Sequence, residues 1–262
     1  MTPAIPDDDI LEKTPPPADV RLTYGSDPSQ FGDLRLPKTS KPSPVVMNIH
    51  GGFWRAKYGL AHAGHLCAAL TQNGVATWNL EYRRVGDPGG GWPGTFEDIL
   101  NGYRFLSQIA KRYNFDLERT LVMGHSAGGQ LAICLAAHES TVQRVISLAG
   151  VLDLQEAYRL HLSHDAVAEF LGGTPTAMID HYREADPMAL KIATARQIVV
   201  HGAIDDTVPL SFSQNYEKEK RKRGEKVELL EIAKAGHYEL IDPRTPAFAQ
   251  VRDAVSRLLA SA

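Results

Sequence analysis

The chain has 262 residues, 43% hydrophobic and 23% charged, with a net charge of −3 when histidines are neutral. That length buries one large core without staples, and the slight acidity disfavours a polyanionic partner such as nucleic acid. Two cysteines, Cys67 and Cys134, stand inside apolar stretches; neither a disulfide framework nor a metal motif is expected from them, only buried, reduced thiols.

Residues 1–18 are rich in Pro and Asp and read as a flexible N-terminal arm. They carry no basic n-region or apolar h-region, and no apolar run reaches the roughly 18 residues of a membrane span. A cytoplasmic protein without a membrane partner is therefore expected. Residues 19–262 read as one domain. "VRLTY" (20–24) and "DLRLP" (33–37) suggest early antiparallel strands, and "VVMNI" (45–49) is the near-continuous apolar run of a strand buried on both faces. The spacing predicts a helix over 59–74, stopped by Asn73-Gly74, then a strand over 75–80. A glycine-rich loop (86–94) precedes a helix from Thr95 to Tyr113, with Thr95 as N-cap and Asp98 three residues on. A strand (120–126), a helix (127–138) and a strand (142–150) follow. Residues 151–195 read as a small helical lid. A strand (196–202), a helix (210–222), a strand (226–232) and a last helix (246–259) complete an α/β pattern: a mostly parallel central sheet with helices on both faces.

In such sheets reactive groups collect at the carboxyl ends of strands. After the strand at 120–126 stands "GHSAGG", a G-x-S-x-G whose serine, Ser126, needs small neighbours at ±2 to occupy a tight strand-to-helix turn. A serine hydroxyl is a poor nucleophile unless a base takes its proton. Two acids, Asp205 and Asp206, follow the strand at 196–202, and His237 follows the last strand. Type, order and strand-end position all agree with Ser…Asp…His. "IHGGFW" (49–54) raises a separate question, because a plain turn does not need two adjacent glycines ahead of two aromatics.

Taken together, "HGGFW", "EYRR" (81–84), "GWPGTFEDI" (91–99), "GHSAGG", "HGAIDDTVP" (201–209) and "AGHYEL" (235–240) make the chain resemble the α/β-hydrolase superfamily of serine hydrolases. It is most similar to the HGGxW carboxylesterases and kynurenine formamidase-like members. Phe53 stands where the HGGG lipase-type branch carries a third glycine. The resemblance implies a triad of Ser126, Asp205 and His237, with Asp205 chosen over Asp206 because the family's acid stands in HG-x-x-D-x-x-VP. It also implies an oxyanion hole from the backbone N–H groups of Gly52, Phe53 and Ala127. Trp54 and His125 are expected at the substrate pocket, and His50 as a brace for the loop. Asp206 is expected to cap the helix near Pro209, and Asp153 to cap a lid helix. Glu81 is expected to pair with Arg83 or Arg84, and His62 and His65 to be surface residues rather than zinc ligands. The scheme calls on no cofactor and no metal. The expected activity is cleavage of small acyl or aryl esters, with an arylformamidase or amidase and an inactive hydrolase-fold binding protein as alternatives. The expected partner is a small-molecule ester or amide, and the expected assembly a monomer or homodimer.

Overall fold

Apolar residues alternate between two cores along each central strand, which is the signature of a sheet covered on both faces. In the computed structural model, which describes residues 9–260, Val45, Met47 and Ile49 face one core and Val46 the other. Val122 faces the first core and its neighbours Leu121 and Met123 the second.

In chain order the elements are β1 (Val20–Thr23), β2 (Phe31–Arg35), β3 (Ser43–Ile49), α1 (Gly64–Gln72), β4 (Ala76–Leu80), α2 (Gly94–Tyr113), β5 (Phe115–His125) and α3 (Ala127–His138). They continue with β6 (Arg144–Leu148), α4 (Leu154–Arg159), α5 (Ala166–Leu171), α6 (Ile179–Ala185), β7 (Arg196–Gly202), α7 (Ser211–Lys222), β8 (Val227–Ile232) and α8 (Pro246–Ala260). The sheet has eight strands in the order β1-β2-β4-β3-β5-β6-β7-β8. The β1/β2 and β2/β4 pairings are antiparallel and the others parallel. The expected fold class, α/β with a mostly parallel sheet, is the one observed.

Register decides where the chemistry can gather. Ile49 pairs with Leu80 and Gly124, His125 with Leu148, Leu148 with Val200, and Gly202 with Ile232. The carboxyl ends of β3, β5, β6, β7 and β8 thus lie along one edge, and the loops that leave them share one surface.

Two local expectations are corrected and one holds. The N-cap of α2 is Pro93, not Thr95. The buried Thr95 hydroxyl instead donates to the Arg83 carbonyl at 2.6 Å and accepts from the Gly91 N–H at 3.1 Å, while Asp98 binds Arg83 and Gln30. Asp206 caps nothing: α7 begins at Ser211, after Leu210, without a side-chain cap. Asp206 is exposed and accepts only from the Thr207 hydroxyl among the described residues. Asp153, by contrast, does cap α4, accepting from the Glu156 N–H at 2.9 Å.

Residues 1–8 of the segment read as an arm lie outside the described residues. Over 9–18 the chain packs on the domain. A short 3-10 helix, Asp9–Leu11, buries Ile10 in the second core, Asp9 pairs with Arg244 at 2.7 Å, and the Pro16 carbonyl accepts from Arg35. Both cysteines are free and buried, and burial pushes the Cys67 thiol up to about 12.

Candidate active site

Ser126 sits between β5 and α3 with φ 56° and ψ −121°. A residue bearing a Cβ adopts a positive φ only where its surroundings over-determine it. The neighbours here leave no other path. A Cβ on Gly124 would stand 2.0 Å from the Gly128 carbonyl oxygen, and one on Gly128 would stand 2.1 Å from that of Ile49. The Ser126 N–H is tied to the Leu148 carbonyl at 2.8 Å, and its own carbonyl accepts from Gly129 and Gln130. The turn lifts the side chain to the head of α3, where free N–H groups and the helix dipole favour negative charge.

His237 lies in the loop after β8 and donates from Nδ1 to Asp205 Oδ2 at 2.7 Å. That contact fixes the ring and leaves Nε2 on its opposite edge. Asp205 is held at both oxygens. Oδ1 accepts from the Thr207 and Val208 N–H groups at 2.9 and 2.8 Å. Oδ2 also has His201 Nε2 at 3.3 Å. Burial pushes the Asp205 carboxyl up, but hydrogen bonds from His201 and His237, with the His237 charge and the Val208 N–H, outweigh it and hold the group well below the usual carboxylate range. Of the two aspartates, the structure brings Asp205 to His237 and leaves Asp206 in solvent.

His125 braces His237 from the other side. Its Nε2 donates to the His237 carbonyl at 3.0 Å, and the two rings lie 4.5 Å apart. Burial, reinforced by the His237 charge, drives the His125 imidazole well below its ordinary value.

The loop after β3 returns to Ser126. A Cβ on Gly51 would stand 2.9 Å from the Ser126 Cβ, and one on Gly52, at φ 116°, would stand 2.4 Å from the Tyr58 Cβ. Two glycines are needed because the loop is pressed on Ser126 at one and on Tyr58 at the other. Phe53 and Trp54 follow at φ 47° and 57°. Among the described residues, none of the N–H groups of Gly52, Phe53 and Ala127 is taken by a backbone acceptor outside regular helices and strands.

His50 is a brace, as expected. Its Nδ1 meets the Gly51 carbonyl and its Nε2 meets Glu81 Oε1, both at 2.8 Å. Glu81 also pairs with Arg84 at 2.9 Å, whereas Arg83 pairs with Asp98. Burial pushes the Glu81 carboxyl up, but the His50 charge and hydrogen bond, Arg84 and the Leu60 N–H hold it at about 2.

These groups open on one cavity of about 100 Å³, lined by Ser126, His237, His125, Gly52 and Phe53, and also by Leu11, Tyr58, His62, Ser163 and Tyr238. Trp54 is not among its lining residues. It is fully buried, stacked on Phe170 of α5 at 4.6 Å, and donates from Nε1 to Gln130 at 3.0 Å. The indole therefore fastens the lid to the domain instead of walling the pocket. His62 corrects a second expectation, because it is buried and lines the cavity. Burial first, then the His50 charge, lowers its imidazole to about 3. His65 is half-buried, with Nε2 at 3.2 Å from the Lys13 carbonyl. Among the described residues no cluster of His, Cys, Asp and Glu suits a metal ion, and no helix is long and apolar enough to cross a membrane.

Leu11, Tyr58, His62, Ser163 and His201 all escape the sequence reading. Their only local signal is the "HG" that places His201 at the end of β7. The rest reach the site across long separations.

A nucleophile elbow, a buried acid–imidazole pair and a glycine loop at the carboxyl edge of a mostly parallel sheet define an α/β-hydrolase-fold protein. Residues 33–219 match the BD-FAE family, and the chain belongs to it. A probable isoprenylcysteine alpha-carbonyl methylesterase of Oryza sativa subsp. japonica is 28% identical over 231 residues, covering 80% of this chain and 55% of that protein. The versiconal hemiacetal acetate esterase of Dothistroma septosporum is 29% identical over 120 residues, covering 45% of this chain and 35% of that one. The chain spans about half the length of the first of these relatives and less of the second. Among solved structures, a truncated carbohydrate esterase from gut microbiota superposes with a TM-score of 0.80 at 21% identity, covering 95% of this chain and all of that one. A bacterial heroin esterase gives 0.76 at 20% identity, covering 92% of this chain and 84% of that one. At these identities the structures speak for the fold alone.

Proposed function

We propose that the protein is a serine carboxylesterase that cleaves small acyl or aryl esters through an acyl-enzyme. The observation that carries the reading is the 2.7 Å contact of the buried Asp205 carboxylate with His237, which lines one cavity together with Ser126. The names of the relatives, esterases throughout those given above, agree with it.

In this reading Ser126 Oγ attacks the carbonyl carbon as His237 Nε2 takes its proton. Asp205 holds the Nδ1–H tautomer and stabilises the imidazolium. The oxyanion rests on the N–H groups of Gly52, Phe53 and Ala127, each such donor being worth about 2.7–4 kcal/mol in the transition state. His237 then returns the proton to the leaving oxygen, and the alcohol departs. Water, deprotonated by His237, attacks the acyl-enzyme and frees the acid and Ser126. An apolar cavity of about 150 Å³ takes a benzene ring, so one of about 100 Å³ suits an acyl group of a few carbons.

The test is labelling with a fluorophosphonate, followed by hydrolysis of p-nitrophenyl acetate, p-nitrophenyl octanoate and N-formylkynurenine. Labelling at Ser126 with acetate preferred is the expected result. Absence of label at Ser126 would sink the enzyme reading, and preference for N-formylkynurenine would move the assignment to a formamidase.

A further inference from the structure

We propose that Arg55 is a positioning residue that latches the roof of the catalytic cavity and so limits the length of the acyl group admitted. The inference rests on the esterase reading for its substrate and on geometry alone for the latch.

Loop 161–165, between α4 and α5, carries four non-glycine residues at positive φ: His161 at 51°, Ser163 at 49°, His164 at 55° and Asp165 at 59°. Such a run is costly for residues bearing a Cβ and needs to be held from outside. The His161 and Leu162 N–H groups return to the Tyr158 and Ala157 carbonyls, the His164 and Ala166 N–H groups bond the His161 and Leu162 carbonyls, and the His161 ring meets Asp165 at 2.6 Å in solvent. Leu162 packs on the first core.

Beyond that apolar contact, the polar hold from outside the lid is one guanidinium. Arg55 Nη2 donates to the Ser163 and His164 carbonyls at 2.7 and 3.2 Å. Nη1 donates to Ser163 Oγ at 3.0 Å, and Nε to Glu169 Oε2 on α5 at 2.7 Å. Four acceptors around one planar fork suit an arginine and not the single point charge of a lysine. Ser163 is the residue this fork grips twice, and it lines the same cavity as Ser126.

The other end of the latch is independent of the side chain. The Arg55 N–H bonds the Gly52 carbonyl at 3.1 Å, its carbonyl accepts from Tyr58, and the strand-like bridge to Val85 fixes its backbone. Arg55 thus joins the loop that carries the proposed oxyanion donors to the loop that roofs the acyl group. Removing the side chain frees the roof and leaves the oxyanion loop anchored.

Arg55→Ala, Arg55→Lys and Glu169→Gln are compared with the unmodified full chain by thermal melting, amide hydrogen exchange over 160–166, and kcat/KM on p-nitrophenyl acetate and octanoate. Arg55→Ala is expected to speed exchange in that segment by about tenfold or more while the β5 amides keep their protection. The octanoate-to-acetate ratio is expected to rise by about tenfold, mainly because KM for octanoate falls while kcat for acetate changes by less than about threefold. Arg55→Lys should rescue less than half of either effect, and Glu169→Gln should move both in the same direction by a smaller amount. Unchanged exchange in Arg55→Ala overturns the latch. Faster exchange with an unchanged ratio overturns the role in acyl length. If the unmodified protein hydrolyses no ester, the esterase reading fails and the acyl-length role with it, and exchange alone decides the latch.

Discussion

The floor and the roof of the candidate cavity are built by different means. The floor is Ser126, His125, His237 and the Gly51–Phe53 loop, each at the end of a strand whose register is set by parallel backbone pairing. The roof and walls are Leu11 from the N-terminal 3-10 helix, Tyr58 and His62 beyond the glycine loop, and Ser163 from the lid. No shared ladder positions these four, and side-chain bonds and buried apolar contacts do the work. Chemistry placed on the floor inherits the rigidity of the sheet, whereas shape placed on the roof is adjustable without disturbing it.

The sharpest test of that division is Ser126→Ala. It should cut kcat by about 10⁶-fold while leaving the urea midpoint near that of the unmodified protein, since the side chain sits on a strained turn and contributes little packing. Wild-type turnover in this variant would refute the nucleophile. Next in size, Asp205→Asn should lower kcat by about 10⁴-fold, because the amide no longer holds the productive imidazole tautomer. Asp206→Asn, out in solvent, should stay within about twofold, and kinetics showing the reverse order would exchange their roles.

Roof residues should be read out in stability and pH dependence instead. His62 is neutral and buried, with its pKa lowered to about 3, so the unfolded chain binds more protons than the native one between about pH 6.5 and that value. Its contribution is complete above about pH 6.5 and is lost progressively, by a few kcal/mol in all, as pH falls through that window. His125 shifts in the same direction. The pH–stability curve of His62→Gln should therefore be flatter than that of the unmodified protein between pH 6.5 and 3. Parallel curves would show that burial of this imidazole carries no such cost. Smaller again, Ile10→Ala should destabilise by about 2–4 kcal/mol in urea titration. A change under about 0.5 kcal/mol would place the 9–11 segment outside the cooperative fold.

The floor was legible in the sequence for the reason that makes it rigid. Buried parallel strands must be apolar runs, their carboxyl ends must meet, and Gly124 and Gly128 are demanded by contacts of 2.0–2.1 Å that any Cβ would make. Local rules misled where a polar side chain had a distant use. Thr95 holds the Arg83 carbonyl instead of capping α2, and Trp54 stacks on Phe170, 116 positions later, instead of facing the cavity. His62 gave no signal, because an imidazole on an amphipathic stretch looks the same whether it faces water or an enclosed pocket.

By itself the sequence determined the α/β pattern, the strand-end positions of Ser126, Asp205 and His237, and the need for small residues at 124 and 128, since each follows from local periodicity or from the backbone room a tight turn requires. Tertiary structure alone decided what closes over them. Leu11, His62 and Ser163 come together from separations of about fifty to a hundred and fifty residues, and only the packing of the lid and the N-terminal segment against the carboxyl edge of the sheet sets those distances. The answer to the paired glycines of "HGGFW" lies at that meeting point: one is pressed on Ser126 and the other on Tyr58.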